Sequence, residues 1–177
     1  GGVIATGLSG SRRPYSGSAR DYVLGVRCIN GLGKDLSFGG QVMKNVAGYD
    51  LSRLMTGAFG TLGIILEVSI KVVPIPETEI TCCRSMTKEN AMVRMLELSG
   101  QAISLSGSCY YGGVLYVRLS GNENSIKATR KKIGFDTDEQ GANLWNQLRD
   151  FKAPIFNSDK NIWRISVPIT TVPKIGD

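Results

Sequence analysis

Glycine is the residue type in this chain best placed to do chemistry, and it does so through bare main chain. The sequence opens Gly1-Gly2-Val3-Ile4-Ala5-Thr6-Gly7-Leu8-Ser9-Gly10. Without a Cβ the backbone can approach a ligand closely and adopt positive φ, and successive N–H groups can converge on a phosphate. Most such stretches are only turns, so this one alone is weak evidence. A second tract, Gly57-Ala58-Phe59-Gly60-Thr61-Leu62-Gly63-Ile64-Ile65, places glycine every third residue. It is not the dinucleotide fingerprint, which follows a strand and opens a helix; here a helix precedes and a strand follows. Gly31-Leu32-Gly33-Lys34 is not a P-loop, because Cys28 stands where glycine is needed and Asp35 where Ser or Thr is needed. It reads as a hairpin turn. Lys44-Asn45-Val46-Ala47-Gly48-Tyr49-Asp50 could turn a lysine toward an anion, but a turn at Gly48 and a helix cap at Asp50 are the favoured reading.

Other chemistries are excluded by composition. The 177 residues contain no histidine. Residues 1–177 therefore hold no Ser-His-Asp triad, no histidine metal ligand and no histidyl-linked flavin. Four cysteines (Cys28, Cys82, Cys83, Cys109) form no C-x-x-C pair and no disulfide framework, which suits reduced thiols in a cytoplasmic protein. No metal site is expected. Net charge is +6, a balance suited to phosphate or carboxylate ligands. The one dense basic run, Arg130-Lys131-Lys132, reads as a solvated helix C-terminus and not as a nucleic-acid contact. No apolar run approaches the roughly 20 residues of a membrane span. Trp145 and Trp163 stand at apolar positions and are expected in the core. The chain lacks a starting Met and a basic leader, and reads as a piece of a longer protein.

These residues must be positioned by elements that the pattern predicts. Glycine is dense up to Gly63 and sparser afterwards, and Pro74-Ile75-Pro76 makes a natural boundary. Two domains follow, residues 1–76 and 77–177. In the first, residues 1–17 read mostly as loop, Val23 to Ile29 and Asp35 to Phe38 as a hairpin, and Leu51 to Thr56 as a short helix stopped by Gly57. Leu62 to Val73 reads as a half-buried strand of period two, with Leu62, Ile64, Leu66, Val68, Ile70 and Val72 on one face and Glu67, Ser69 and Lys71 on the other. In the second, strands are predicted at Glu79 to Arg84, Ile103 to Tyr110, Val114 to Leu119 and Ile162 to Val167. Helices are predicted at Thr87 to Ser99, with Met92, Met95, Leu96 and Ser99 along one side, at Asn122 to Ile133, and at Leu144 to Phe151. The order β-α-β-β-α-(α)-β is ferredoxin-like, with an insertion before the last strand.

Four stretches, in order and spacing, resemble one family: residues 1–10; Gly17-Ser18-Ala19-Arg20-Asp21-Tyr22-Val23-Leu24-Gly25; Phe38-Gly39-Gly40-Gln41-Val42-Met43-Lys44-Asn45-Val46-Ala47-Gly48-Tyr49-Asp50-Leu51; and Gly60-Thr61-Leu62-Gly63-Ile64-Ile65. They are similar to the second half of the FAD-binding domain of the vanillyl-alcohol-oxidase/PCMH-type flavoproteins, and within them to FAD-binding subunits of glycolate oxidases. The resemblance implies an α+β chain: the second half of a PCMH-type FAD-binding domain, an antiparallel sheet with helices, followed by a ferredoxin-like cap domain. It implies FAD as cofactor, lined by Gly1, Gly2, Ala5, Thr6, Ser9 and Gly10 on one side. Gly63, Ile64 and Ile65 would touch it through backbone groups on the other. It implies oxidation of a 2-hydroxy acid, glycolate to glyoxylate, with the catalytic residues outside this chain. Sister flavoprotein and iron-sulfur subunits would be the partners. The N-terminal half of the FAD site would come from another segment, so residues 1–177 alone are expected to be inactive. An FAD-linked D-lactate or other 2-hydroxy-acid dehydrogenase, and a non-catalytic assembly subunit, are the alternatives.

Overall fold

A computed structural model describes residues 1–40, 48–157, 161–168 and 170–171. The chain falls into two compact units, Gly1–Ile75 and Pro76–Asp177, joined at the proline pair.

In the first unit, β1 (Val23–Ile29) lies between β2 (Asp35–Gly39) and β3 (Ile64–Ile70) in an antiparallel sheet of order β2-β1-β3. The β1–β2 turn is closed by Asn30, whose Oδ1 accepts from the N–H groups of Leu32 and Lys34. Gly33 takes φ +72 there, which explains its place in the sequence. Residues 1–17 are not simply loop. They form α1 (Gly2–Thr6) and α2 (Arg13–Ser16), with α3 (Ala19–Tyr22) following. Glycine argues against helix on propensity, but tertiary bonds to α1 override that preference. Ser18 and Asp21 build a capping box on α3. Helix α4 (Leu51–Leu54) is shorter than its pattern suggests, and Asp50 caps it by accepting from the Arg53 N–H at 3.0 Å. Val23, Val26, Cys28 and Met55 form the core, flanked by Ile4, Phe38, Ile65 and Val68.

The period-two reading of β3 is corrected by a β-bulge. Arg27 pairs with Glu67 and Cys28 with Ile65, so Leu66 is the extra residue. The bulge switches faces. Ile65 and Val68 turn to the core, while Ile64 and Ile70 are exposed.

In the second unit, β4 (Thr78–Ser85), β5 (Leu105–Tyr111), β6 (Val114–Gly121) and β7 (Asp136–Thr137) form an antiparallel sheet of order β5-β6-β4-β7. With α5 (Lys88–Ser99) and α6 (Glu123–Ile133) this is the ferredoxin-like arrangement. Thr87 caps α5 and Asn122 caps α6 through side-chain oxygens. Gly112 and Gly113 take φ +58 and +78, the two-residue turn between β5 and β6. Cys82, Leu115, Val117 and Leu119 carry the core with Ala91, Leu98, Ile126, Ile133 and Phe135. Burying each of the larger side chains contributes about 1.5–3 kcal/mol. The inward stripe of α5 is Ala91, Met95 and Leu98, not Met92, Met95, Leu96 and Ser99.

Two expectations fail in this unit. The fourth strand is the two-residue β7, directly after α6, and α7 (Gly141–Arg149) follows it instead of preceding it. Residues 162–167 form no strand, because the place beside β4 is already taken by β7. Trp163 is accordingly 83% exposed and not a core residue. Trp145 is buried as expected.

Candidate functional site

The two glycine-rich tracts are joined through main chain. The Gly57 N–H donates to the Ile4 carbonyl at 2.9 Å, and the Phe59 N–H donates to the Ala5 carbonyl at 2.8 Å. These bonds need close approach. A Cβ on Gly7 would lie 3.1 Å from the Gly57 Cα, and Gly7 itself caps α1 at φ +63. Gly63 opens the strand at φ +151, where a Cβ would stand 2.5 Å from the Ile29 carbonyl oxygen. The small residues thus serve packing of backbone on backbone at Gly7 and Gly63.

Elsewhere in the tracts the main chain is open. A Cβ at Gly1, Gly2 or Gly10 would meet no atom within 4 Å. The Ile4 and Ala5 N–H groups bond the Gly1 carbonyl, so the Gly2 and Val3 N–H groups precede the helical bonds. The hydroxyls are used locally. Thr6 Oγ1 donates to the Gly2 carbonyl at 2.9 Å, and Ser9 Oγ accepts from the Ala19 N–H at 2.9 Å. Ile64 is 66% exposed, whereas Ile65 packs against the core of its unit. The Ile65 side chain is half-buried in that packing. The Lys44 to Ala47 stretch lies outside the described residues.

Two polar groupings escape a motif search. On the outward face of the first sheet, Arg27 bonds Asp35 on β2 and Glu67 on β3. Those carboxylates raise the guanidinium pKa, and Arg27 holds the Asp35 carboxyl below the usual range. Gly25, Ser37, Gly39, Gly40 and Ser69 complete a shallow depression around it. With two carboxylates on it, Arg27 is neutralised and does not offer an anion site. In the second unit, Arg118 is buried on the sheet face opposite α5 and α6. Its Nη2 donates to the Ser106 carbonyl at 3.0 Å, and its guanidinium lies 4.7 Å from the Trp145 ring. Trp145 Nε1 donates to Thr81 Oγ1 at 2.9 Å, which fastens α7 to that face. The sequence signal was an arginine between Val117 and Leu119 in an apolar strand.

Among the described residues no three His, Cys, Asp or Glu side chains converge on a possible metal position. No helix among them is long and apolar enough to cross a membrane. The four thiols are free, and burial pushes Cys82, Cys83 and Cys109 upward.

No family model matches the chain. Glycolate oxidase subunit GlcE of Escherichia coli (strain K12) is 48% identical over 168 residues, 95% of this chain and 47% of that protein. Glycolate oxidase subunit GlcD of Bacillus subtilis (strain 168) is 46% identical over 81 residues, 46% of this chain and 17% of that protein. An uncharacterized FAD-linked oxidoreductase of Mycobacterium tuberculosis is 38% identical over 74 residues, 42% of this chain and 16% of that protein. Among solved structures, an alkyldihydroxyacetonephosphate synthase aligns with a TM-score of 0.59 and 17% identity, over 75% of this chain and 31% of the other. That likeness concerns the fold, and it bears out the mixed helix and antiparallel-sheet class. The resemblance read from the four motif stretches is borne out by a relative that matches nearly the whole chain. The chain spans about half the length of that relative and less of the others.

Proposed function

We propose that this chain is part of the FAD-binding subunit of a glycolate oxidase complex. In this reading residues 1–76 are the second half of the FAD-binding domain and residues 77–177 belong to the cap. Identity of 48% to a glycolate oxidase subunit across 95% of the chain is the observation that carries it. Likeness to an FAD-linked oxidoreductase over 42% of the chain supports the cofactor.

The residues present fit one wall of a dinucleotide site. Gly1, Gly2 and Gly10 offer open main chain, and the Gly2 and Val3 N–H groups can donate to phosphate oxygens. Ala5 and Thr6 shape α1, whose bonds to Gly57 and Phe59 hold this wall beside the second glycine tract. The Ser9 hydroxyl accepts from Ala19 and can still donate its own proton. Gly63, Ile64 and Ile65 would face the cofactor with main-chain groups, and Ile64 with its exposed side chain. FAD, when bound, would accept the two electrons released as glycolate becomes glyoxylate. No residue of this chain is assigned as the base, which would come from another segment or subunit. Sister flavoprotein and iron-sulfur subunits would receive the electrons, in the cytoplasm or at the inner membrane through those partners.

The test uses the full-length protein purified with and without its sister subunits. Flavin absorbance, an FAD-dependent rise in Tm and glycolate-dependent bleaching of the flavin are expected. A full-length protein without flavin and without any thermal response to FAD would sink the proposal. Bleaching by D-lactate and not by glycolate would replace the substrate.

A further inference from the structure

The C-terminal end of α6 collects more positive charge than the helix itself needs. A helix C-terminus favours cations because its last carbonyls are unpaired and carry partial negative charge. Here those carbonyls are served from other elements. Arg84 Nη2, on β4, donates to the Gly134 carbonyl at 2.7 Å, and Arg94 Nη2, on α5, donates to the Ile133 carbonyl at 3.4 Å. Both guanidiniums lie against the buried Phe135 ring, 5.1 and 5.8 Å from its centre. Arg130, Lys131 and Lys132 stand exposed in the last turn of the same helix. Elsewhere in the unit surface cations have carboxylates: Lys127 has Glu123, Arg94 has Glu97 and Arg149 has Asp150. Among the described residues Arg84, Arg130, Lys131 and Lys132 have none within ion-pair distance. Asp136, which acts with Arg130 on the Cys82 thiol, offsets one of these four charges and leaves three in excess.

We infer that this end of the second unit is a docking surface for a layer of anionic phospholipid headgroups. Exposure argues for an extended partner. An exposed lysine holds one small anion weakly, because both stay hydrated. Against a charged layer the same lysines act together, at about a fivefold gain in affinity for each. Composition argues for lipid over protein. The exposed face of α6 carries Glu123, Asn124, Lys127, Ala128, Lys131 and Lys132, with no large apolar side chain. A protein interface centres on apolar and aromatic anchors. Headgroup adsorption needs only positive charge close to the layer. The contact is made by this chain itself and not through its sister subunits, and it does not depend on the cofactor.

The experiment floats the full-length protein, assembled with its sister subunits, on vesicles of phosphatidylcholine alone or with phosphatidylglycerol added. Binding to the anionic vesicles only is expected, with loss at about 1 M salt, where screening acts within about 3 Å. Lys131→Gln and Lys132→Gln should each weaken that binding about fivefold, and Lys132→Arg should retain it. Lys152→Gln removes the same charge just after α7, on the other side of the sheet, and should leave binding unchanged. Equal binding to neutral vesicles, or none to either, would overturn the inference. So would equal weakening by Lys152→Gln, or binding that survives the changes at both Lys131 and Lys132. Release of a sister subunit by those changes, with vesicle binding kept, would make the surface a protein interface instead. Flavin content is recorded on the same samples. Loss of headgroup binding with flavin present refutes the docking alone; headgroup binding without flavin refutes the cofactor reading alone.

Discussion

Gly39 shows how narrowly a single residue can be specified. It sits at φ +68, and a Cβ there would overlap the Leu24 carbonyl oxygen and lie 2.5 Å from Ser52 Oγ. Gly39→Ala should cost about 2–4 kcal/mol in a chemical denaturation of the full-length protein, since strain and overlap add. Gly31→Ala, where the space is open and φ is not in the left-handed region, should change stability little. Asp21 gives a pH-dependent test. Hydrogen bonds from the Ser18 hydroxyl and N–H hold its carboxyl below the usual value. The folded pKa is lower than the unfolded one, so the stabilisation is present above the ordinary carboxylate range. It is lost as pH falls through the folded value. Asp21→Asn should lower Tm at pH 7, and the gap to wild type should close as pH falls through the lowered folded value. At the same scale, burial raises the thiols of Cys82, Cys83 and Cys109. Mass spectrometry should find them alkylated by iodoacetamide at pH 7.5 more slowly than a free thiol such as glutathione.

Among elements, α7 depends on one side chain. Trp145 donates to buried Thr81 and stacks near Arg118. Trp145→Phe keeps most of the packing but leaves Thr81 Oγ1 without its donor, and should cost about 1–2 kcal/mol. Trp145→Ala should cost about 3–5 kcal/mol through the cavity it leaves. Two denaturation midpoints, referred to wild type, check both. Most elements of the second unit were legible because their caps and turns are local: Thr87, Asn122 and Gly112-Gly113 each act within a few residues. The bulge at Leu66 was not legible. It is set by how β3 must align with β1, and nothing in the strand itself marks it.

For the whole molecule, the division at the proline pair makes a prediction. Val72 and Ile75 are strongly exposed at 82% and 93%. Limited thermolysin digestion of the full-length protein should cut first around Val72 to Ile75, and the fragments flanking the cut should resist further cleavage. A first cut inside β1 or β6 would contradict the two-unit description.

The sequence by itself determined the mixed helix and antiparallel-sheet class, the hairpins and the caps, because those depend on composition, period and local hydrogen bonding, and its four ordered stretches carried the resemblance. Three things were decided only in the folded chain. Residues 2–6 coil into α1, which Gly57 and Phe59 bond from about fifty residues away. The fourth strand of the second sheet falls to Asp136–Thr137 because only one segment can occupy the place beside β4. Ile65 turns inward because the bulge shifts it by one residue, and a shift of one in a strand exchanges its faces. Each is a long-range choice between competing partners, and no window of neighbouring residues contains it.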